Sequence, residues 1–341
     1  MRVLVTGDRG YIGSVLVPLL IKHRYGVVGL DSGLFEKNLI PNTPVPKYKK
    51  ITKDIRKVEL SDLKGFHTVI HLCALSNDPM GEIDPKLTEE INYKASIRLA
   101  KLAKKAGIKR FLFSSSCSIY GIAKNGVVNE DSEVNPLTAY AKSKIDAEQE
   151  LLELADADFC VGVIRNSTVY GFSPKFRNDL VVNNLVTTAL VFREIRIMSD
   201  GTPWRPLIDA RDLSRIFIEF LTVDAKKING KIINAGFNEN NLQVKDIVSI
   251  VQKNIPNCKV VYTGEHGKDT RSYKVSFDRF ESLFPQVKQK WTLEKSVKDM
   301  VKNLKKIGFG KKEFESGEFS RLTMLKRLIK ENKIDSQLFW T

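Results

Sequence analysis

Tyr140 and Lys144 stand four residues apart in Tyr140-Ala-Lys-Ser-Lys144, at the start of a stretch with helical spacing. That interval puts both side chains on one helix face, one turn apart. A free tyrosine has a pKa near ~10 and is a poor base at neutral pH. A neighbouring ammonium favours the phenolate, as would any other positive group beside it, and is expected to bring the value toward the working range. The pair suits removal of a hydroxyl proton while hydride leaves the same carbon. A run of serines, Ser114-Ser115-Ser116-Cys117-Ser118-Ile119-Tyr120-Gly121, follows the apolar run Arg110–Phe113. Hydroxyls at the carboxyl end of a buried strand lie where open α/β sheets place their ligands, and can orient a reacting oxygen. Tyr-x-x-x-Lys alone arises by chance on solvated helices; beside the serine run and the glycine loop described next it is specific.

Gly7-Asp8-Arg9-Gly10-Tyr11-Ile12-Gly13 joins the strand-like run Val3–Thr6 to a helical pattern over Tyr11–His23. Glycines here permit a tight turn, close approach of the backbone to a pyrophosphate, and close helix–strand packing. The helix N-terminus then offers free N–H groups to phosphate. Asp31 ends a second apolar run, eighteen residues past Gly13. A carboxylate there accepts hydrogen bonds from the adenosine ribose hydroxyls and repels a 2′-phosphate, which favours NAD over NADP. Arg9 pulls the other way, since a guanidinium pairs with phosphate. The carboxylate is expected to win, because it is fixed at a strand end while Arg9 is free to swing into solvent.

The elements that must position these groups alternate. Strand patterns at Val3–Thr6, Val27–Leu30, Lys47–Thr52, His67–Cys73, Arg110–Phe113 and Phe159–Ile164 are interleaved with helical ones, among them Lys86–Ala106 and Leu137–Leu154. Apolar strands alternating with helices imply an α/β fold, a Rossmann-type doubly wound parallel sheet. After Tyr170-Gly171 the regularity loosens. Helices are predicted over Asp179–Val191 and Val244–Lys253, with three more to the end, the last Phe319–Lys330. The expected division is residues 1–170 as the NAD-binding domain carrying the Ser–Tyr–Lys site and 171–341 as a smaller substrate lobe. Segments near 205–236 are able to return to the first sheet.

The bulk numbers narrow the class. A chain of 341 residues with 42% hydrophobic and 28% charged residues is ordinary for a globular enzyme. No apolar run approaches the roughly 20 residues that cross a bilayer, and a cytoplasmic protein is expected. The net charge of +15 raises a nucleic-acid partner. The basic residues are mostly scattered lysines, densest over Lys288–Lys333, with no aromatic interleaving, so no specific nucleic acid is expected. Cys73, Cys117, Cys160 and Cys258 form no Cys-x-x-Cys pair, and His67 and His71 lie in a strand pattern, so neither a disulfide framework nor a metal is expected.

With these motifs the sequence resembles the extended short-chain dehydrogenase/reductase family, particularly its nucleotide-sugar epimerases and dehydratases, to about Phe284. The resemblance selects Ser116, the serine ahead of x-x-x-Tyr-Gly, as catalytic with Tyr140 and Lys144. It implies cofactor contacts from Gly7, Arg9, Gly10, Tyr11, Ile12 and Gly13, and from Asp31. Asp54 and Ile55 would meet the adenine edge. Leu72-Cys73-Ala74 would pass the pyrophosphate, with Asn92 beside it and Ser114, Tyr140 and Lys144 at the nicotinamide end. For substrate it implies Ser116, Ser118, Thr168, Arg205 in Ser199-Asp-Gly-Thr-Pro-Trp-Arg205, and Arg271 in Asp269-Thr-Arg271-Ser-Tyr273. It also implies a homodimer built from the Lys86–Ala106 and Leu137–Leu154 helices.

Departures from the family pattern bear on the reaction. Sugar 4,6-dehydratases carry Asp-Glu directly after the catalytic hydroxyl, where this chain has Cys117-Ser118. The thiol of 3,5-epimerases and fucose synthases and the glutamate of decarboxylases fall at Ser118. What remains resembles the 4-epimerases, with simple oxidation or keto reduction at C4 as the alternative, and an NAD-sensing binding protein less favoured. The family's asparagine before the later Val-Tyr-Gly is Thr168 here.

Overall fold

A computed structural model describes residues 1–36, 39–41, 43–263 and 271–341, apart from the side chains at 123–125. Asn42, Asp269 and Thr270 lie outside the described residues. Seven strands form one parallel sheet: β1 Arg2–Thr6, β2 Gly26–Asp31, β3 Lys49–Thr52, β4 Thr68–His71, β5 Arg110–Ser116, β6 Cys160–Asn166 and β7 Lys231–Ala235. Their order is β7-β6-β5-β4-β1-β2-β3. From β1 the chain steps outward through β2 and β3, then crosses back to β4 and steps the other way. The reversal between β1 and β4 opens a crevice at the carboxyl ends, the position where doubly wound sheets bind ligands. Register is tight there, with Thr6 opposite His71 and Leu30.

The central strands read as continuous apolar runs because both faces are covered. On one face lie helix α2, Ala95–Lys105, and helix α3, Ala139–Glu153; their apolar residues join Leu4, Val69, Phe111 and Val163. On the other lies helix α1, Gly13–Lys22, with Leu16, Val17 and Leu20 against Val3, Val5, Ile70 and Ile164. The long helix expected over Lys86–Ala106 comes in three pieces: Pro85–Thr88, a wider π-helical turn at Glu89–Lys94, and α2. Strand Trp204–Asp209 sits in a three-stranded sheet with Thr168–Tyr170 and Asn241–Gln243, whereas β7 lies beside β6 in the main sheet. Where three helices were expected after Asn254, four form among the described residues, the last being α4, Arg321–Lys330. The apolar side of α4 does not join the neighbouring lobe. Met324, Leu325 and Leu328 fall in the layer that holds Ile55, Val58 and Leu63, at the β3 edge of the main sheet. Among the described residues, no helix is long and apolar enough to cross a membrane.

Candidate active site

The loop after β1 turns on Gly7 at φ +73°, where a Cβ would stand 2.9 Å from the Cys73 backbone nitrogen. A Cβ on Gly13 would stand 2.3 Å from the Gly7 carbonyl oxygen, so only glycine lets α1 start this close beneath the loop. No side chain caps that helix, which leaves its N-terminus to a ligand. Gly7 touches the Leu72-Cys73 backbone, bringing the β1 and β4 loops together as the sequence implied. Asp31 stands at the end of β2 and accepts the Gly33 N–H at 2.7 Å. Burial raises its pKa; the Gly33 bond and the Arg9 charge oppose that rise. A glycine cradle that a Cβ would fill, an uncapped helix start and a half-buried carboxylate at the next strand end fit a dinucleotide.

Several residues expected at the cofactor make ties within the protein. Arg9 does not swing into solvent. It is 5% exposed, with Nη1 on Glu36 at 2.8 Å and Nη2 on the Asp31 carbonyl at 2.6 Å and the Thr52 hydroxyl at 3.0 Å. Its charge is spent tying the β1, β2 and β3 loops together. Asn92 has no exposed surface: Oδ1 accepts from Leu75 N–H at 2.8 Å, and Nδ2 donates to the Leu75 carbonyl and Ser143. It supports the β4 loop. The Tyr11 hydroxyl donates to the Gly171 carbonyl and accepts from Asn183, a strut to the later chain. Ile55 is buried among Val58 and Leu63, so its side chain belongs to the core. Asp54 binds Arg56 through both oxygens, at 2.9 and 2.8 Å.

The three catalytic candidates come together at the end of β5. The Ser116 hydroxyl pairs with Ser118 at 3.0 Å and accepts the Ser118 N–H at 3.1 Å. Lys144 donates to the Ser114 carbonyl at 2.8 Å and lies 5.9 Å from the Tyr140 ring centre. The Ser114 hydroxyl accepts from Asn166 at 2.7 Å. The expected depression of the Tyr140 pKa is not found in the chain alone. Burial, with the Asp78 charge, pushes it up to about 12, while the Ser116 hydroxyl, Arg177 and Arg271 pull the other way. Burial also brings Lys144 down to about 8. Cys117 is buried with its thiol on the Arg165 carbonyl, and burial pushes its pKa up, so it is no nucleophile.

One turn beyond Lys144, Glu148 anchors α3. It accepts the Ser115 hydroxyl and takes Arg165 Nε at 3.1 Å and Nη2 at 2.7 Å; both members of the pair are buried. Arg165 continues to Tyr120, which donates to Asn234. This network ties α3, β5, β6 and β7 together beneath the serines.

Arg205 and Arg271, far apart in sequence, meet: Arg205 donates to the Arg271 carbonyl, and Arg271 binds Asp78 at 2.6 Å. Thr168 is half-buried in the neighbouring strand, opposite Leu207. The sequence reading missed Asp78 and Arg177. Asp78 also accepts from Thr138, the cap of α3, and Arg177 binds Asp179 and donates to Ser76. Ser76-Asn77-Asp78-Pro79, a polar turn after a buried strand, was a signal for the first. Arg177, in an irregular segment, carried none.

A profile of the NAD dependent epimerase/dehydratase family matches residues 3–236. The chain belongs to that family. It is an enzyme of the extended short-chain dehydrogenase/reductase type, with NAD as its cofactor. Among its relatives, the UDP-glucose 4-epimerase of Mycolicibacterium smegmatis is 32% identical over 64% of this chain and 72% of its own. The dTDP-D-glucose 4,6-dehydratase of Mus musculus is 26% identical over 88% of this chain and 87% of its own. The structure of MoeE5 in complex with UDP-glucuronic acid and NAD superposes with a TM-score of 0.77 at 27% identity, covering 90% of this chain and 99% of that one. The glycine cradle, Asp31 and the Ser116–Tyr140–Lys144 group all lie within the matched span.

Proposed function

We propose that this enzyme oxidises and re-reduces C4 of a nucleotide-linked sugar, and so interconverts C4 epimers. The observation that carries the reading is what surrounds Ser116. Its nearest companion is the Ser118 hydroxyl, and the intervening Cys117 thiol is turned onto the Arg165 carbonyl. Neither a carboxylate nor a thiol on this segment faces the reacting position, which leaves proton removal and hydride transfer as the chemistry. The M. smegmatis 4-epimerase among the relatives supports the same choice.

Bound NAD supplies a hydride acceptor and a positive charge. Ser116, steadied by Ser118, orients the C4 hydroxyl. Tyr140 takes its proton at Oη, a step that needs positive charge close by, because burial alone holds the phenol near 12. Lys144 would hold the nicotinamide ribose hydroxyls from its seat on the Ser114 carbonyl. Arg205 and Arg271 would hold the substrate diphosphate, with Asp78 fixing the second of them. A homodimer through the Lys86–Ala106 and Leu137–Leu154 helices, and action in the cytoplasm, go with the family resemblance.

Purified protein given UDP-glucose or UDP-glucuronate, with no added oxidant, should form the C4 epimer. Stoichiometric NADH with a 4-keto product and no epimer would reject the proposal in favour of a dehydrogenase. A dehydrated sugar would reject it in favour of elimination.

A further inference from the structure

The loops that follow β2 and β3 carry Asp31 and Asp54, the two acids of the adenosine end. The last residues of the chain, beyond the span the family profile matches, are fastened to both. Trp340 Nε1 donates to the Ser32 carbonyl at 2.7 Å. Arg56, already paired with Asp54, donates to the Gln337 carbonyl at 2.8 Å and lies 3.8 Å over the Phe339 ring. Beneath these contacts Ile334 and Leu338 are buried with Ile55 and Val58, which ties the tail to the β3 edge.

At the start of the same segment, Arg321 lies among the loops around the crevice. Its N–H donates to Asp179 at 3.2 Å and its Nη2 to the Lys175 carbonyl at 3.1 Å. The guanidinium lies 4.5 Å over the Phe35 ring, in the loop that Asp31 begins. Arg321 is 2% exposed, yet its Nη1 has no hydrogen-bond partner among the described residues. A buried charged donor left unsatisfied is costly, and a ligand oxygen is a group that completes it. Phe35 follows Asp31 in the same loop, which places Arg321 beside the adenosine side of the cofactor site. Helix α4 also runs beside the short helix Asp78–Gly81 that follows the β4 loop.

We propose that the C-terminal segment from Phe319 to Thr341 is a clamp on the adenosine half of NAD, with Arg321 donating from Nη1 to the adenosine-side ribose or phosphate oxygens. Phe339 and Trp340 hold the Asp54 and Asp31 loops closed around the same half. The clamp concerns retention of the dinucleotide and does not depend on which sugar reaction follows.

The test is calorimetric titration of full-length protein stripped of nucleotide, with NAD, ADP-ribose and UDP as probes. Arg321→Gln should weaken NAD and ADP-ribose by about tenfold or more, the usual worth of a hydrogen bond from a charged donor. UDP, a probe of the substrate side, should change less than about twofold, and Arg321→Lys should recover part of the loss. NAD and ADP-ribose affinities equal to the parent's in folded Arg321→Gln would overturn the proposal, as would an equal loss for UDP. Should Arg321→Gln fail to fold, Trp340→Phe decides, since that ring is half exposed and the change deletes only the bond to Ser32. NAD should then leave about fivefold faster, the worth of one neutral hydrogen bond. An unchanged release rate would overturn the clamp.

Discussion

Removing the Glu148 carboxylate tests whether the buried network beneath the serines holds the catalytic helix in place. Glu148 and Arg165 have side chains 2% and 5% exposed, and the carboxylate meets Arg165 Nε and Nη2 together with the Ser115 hydroxyl. In Glu148→Leu the guanidinium stays buried with Tyr120 as its one remaining side-chain partner among the described residues. Breaking a buried ion pair from one side costs about 3–5 kcal/mol, because the surviving charge is uncompensated. With an unfolding entropy of about 2.1 cal/mol/K per residue, 341 residues give about 0.7 kcal/mol/K, so the melting temperature should drop by about 4–7 °C. The double variant Glu148→Leu/Arg165→Met removes both charges and should recover most of the loss. Turnover should fall in the single variant even where it is folded, because Tyr140 and Lys144 lie on the two turns before Glu148. Scanning calorimetry and steady-state assays on the three proteins check this. A single variant melting within about 1 °C of the parent, or a double variant no better than the single, would refute the reasoning.

Tyr140→Phe keeps the ring but loses the ionisable oxygen, so kcat should fall by about two to four orders of magnitude while NAD affinity holds in a direct titration. Asp8, buried in the phosphate loop, is raised to about 6 by burial, against the Tyr48 hydrogen bond. A carboxyl whose folded pKa lies above its unfolded 3.8 loses stability as pH rises between the two values. Asp8→Asn should therefore melt higher than the parent at pH 7.5, with the gap narrowing as pH falls toward 3.8 in calorimetry. NAD should bind at least about tenfold tighter than NADP while Arg9 stays paired with Glu36, and Asp31→Ala should narrow that gap. Equal affinities in the unmutated protein would show that the Arg9 ties give way.

The sheet was legible because strands covered on both faces read as apolar runs bounded by glycine or aspartate, as at Val3–Thr6 and Val27–Leu30. The Tyr140–Lys144 pair and the serine run were legible because their geometry is local: one helical turn, and one strand end. What was not legible depends on neighbours distant in sequence. Arg9 was expected in solvent because nothing nearby in the chain shows that Glu36 and Thr52 converge on it. The π turn at Asn92 has the same apolar periodicity as an ordinary helix, and its amide is bonded to Leu75, seventeen residues earlier. The Tyr140 pKa was expected to fall because Lys144 was visible in the sequence, whereas burial and Asp78 were not. The meeting of Arg205 with Arg271 was carried by family resemblance and by no local pattern. Arg321 was passed over as one cation in a lysine-rich tail, since only the packing of α4 makes it buried.

The central claim, that hydride leaves C4 and returns to it within one active site, is tested most directly by isotope. Substrate bearing deuterium at C4 should give the C4 epimer with the deuterium still at C4, with no loss to solvent and none to NAD added in excess. Product carrying protium at C4, or deuterium recovered in released NADH, would contradict it.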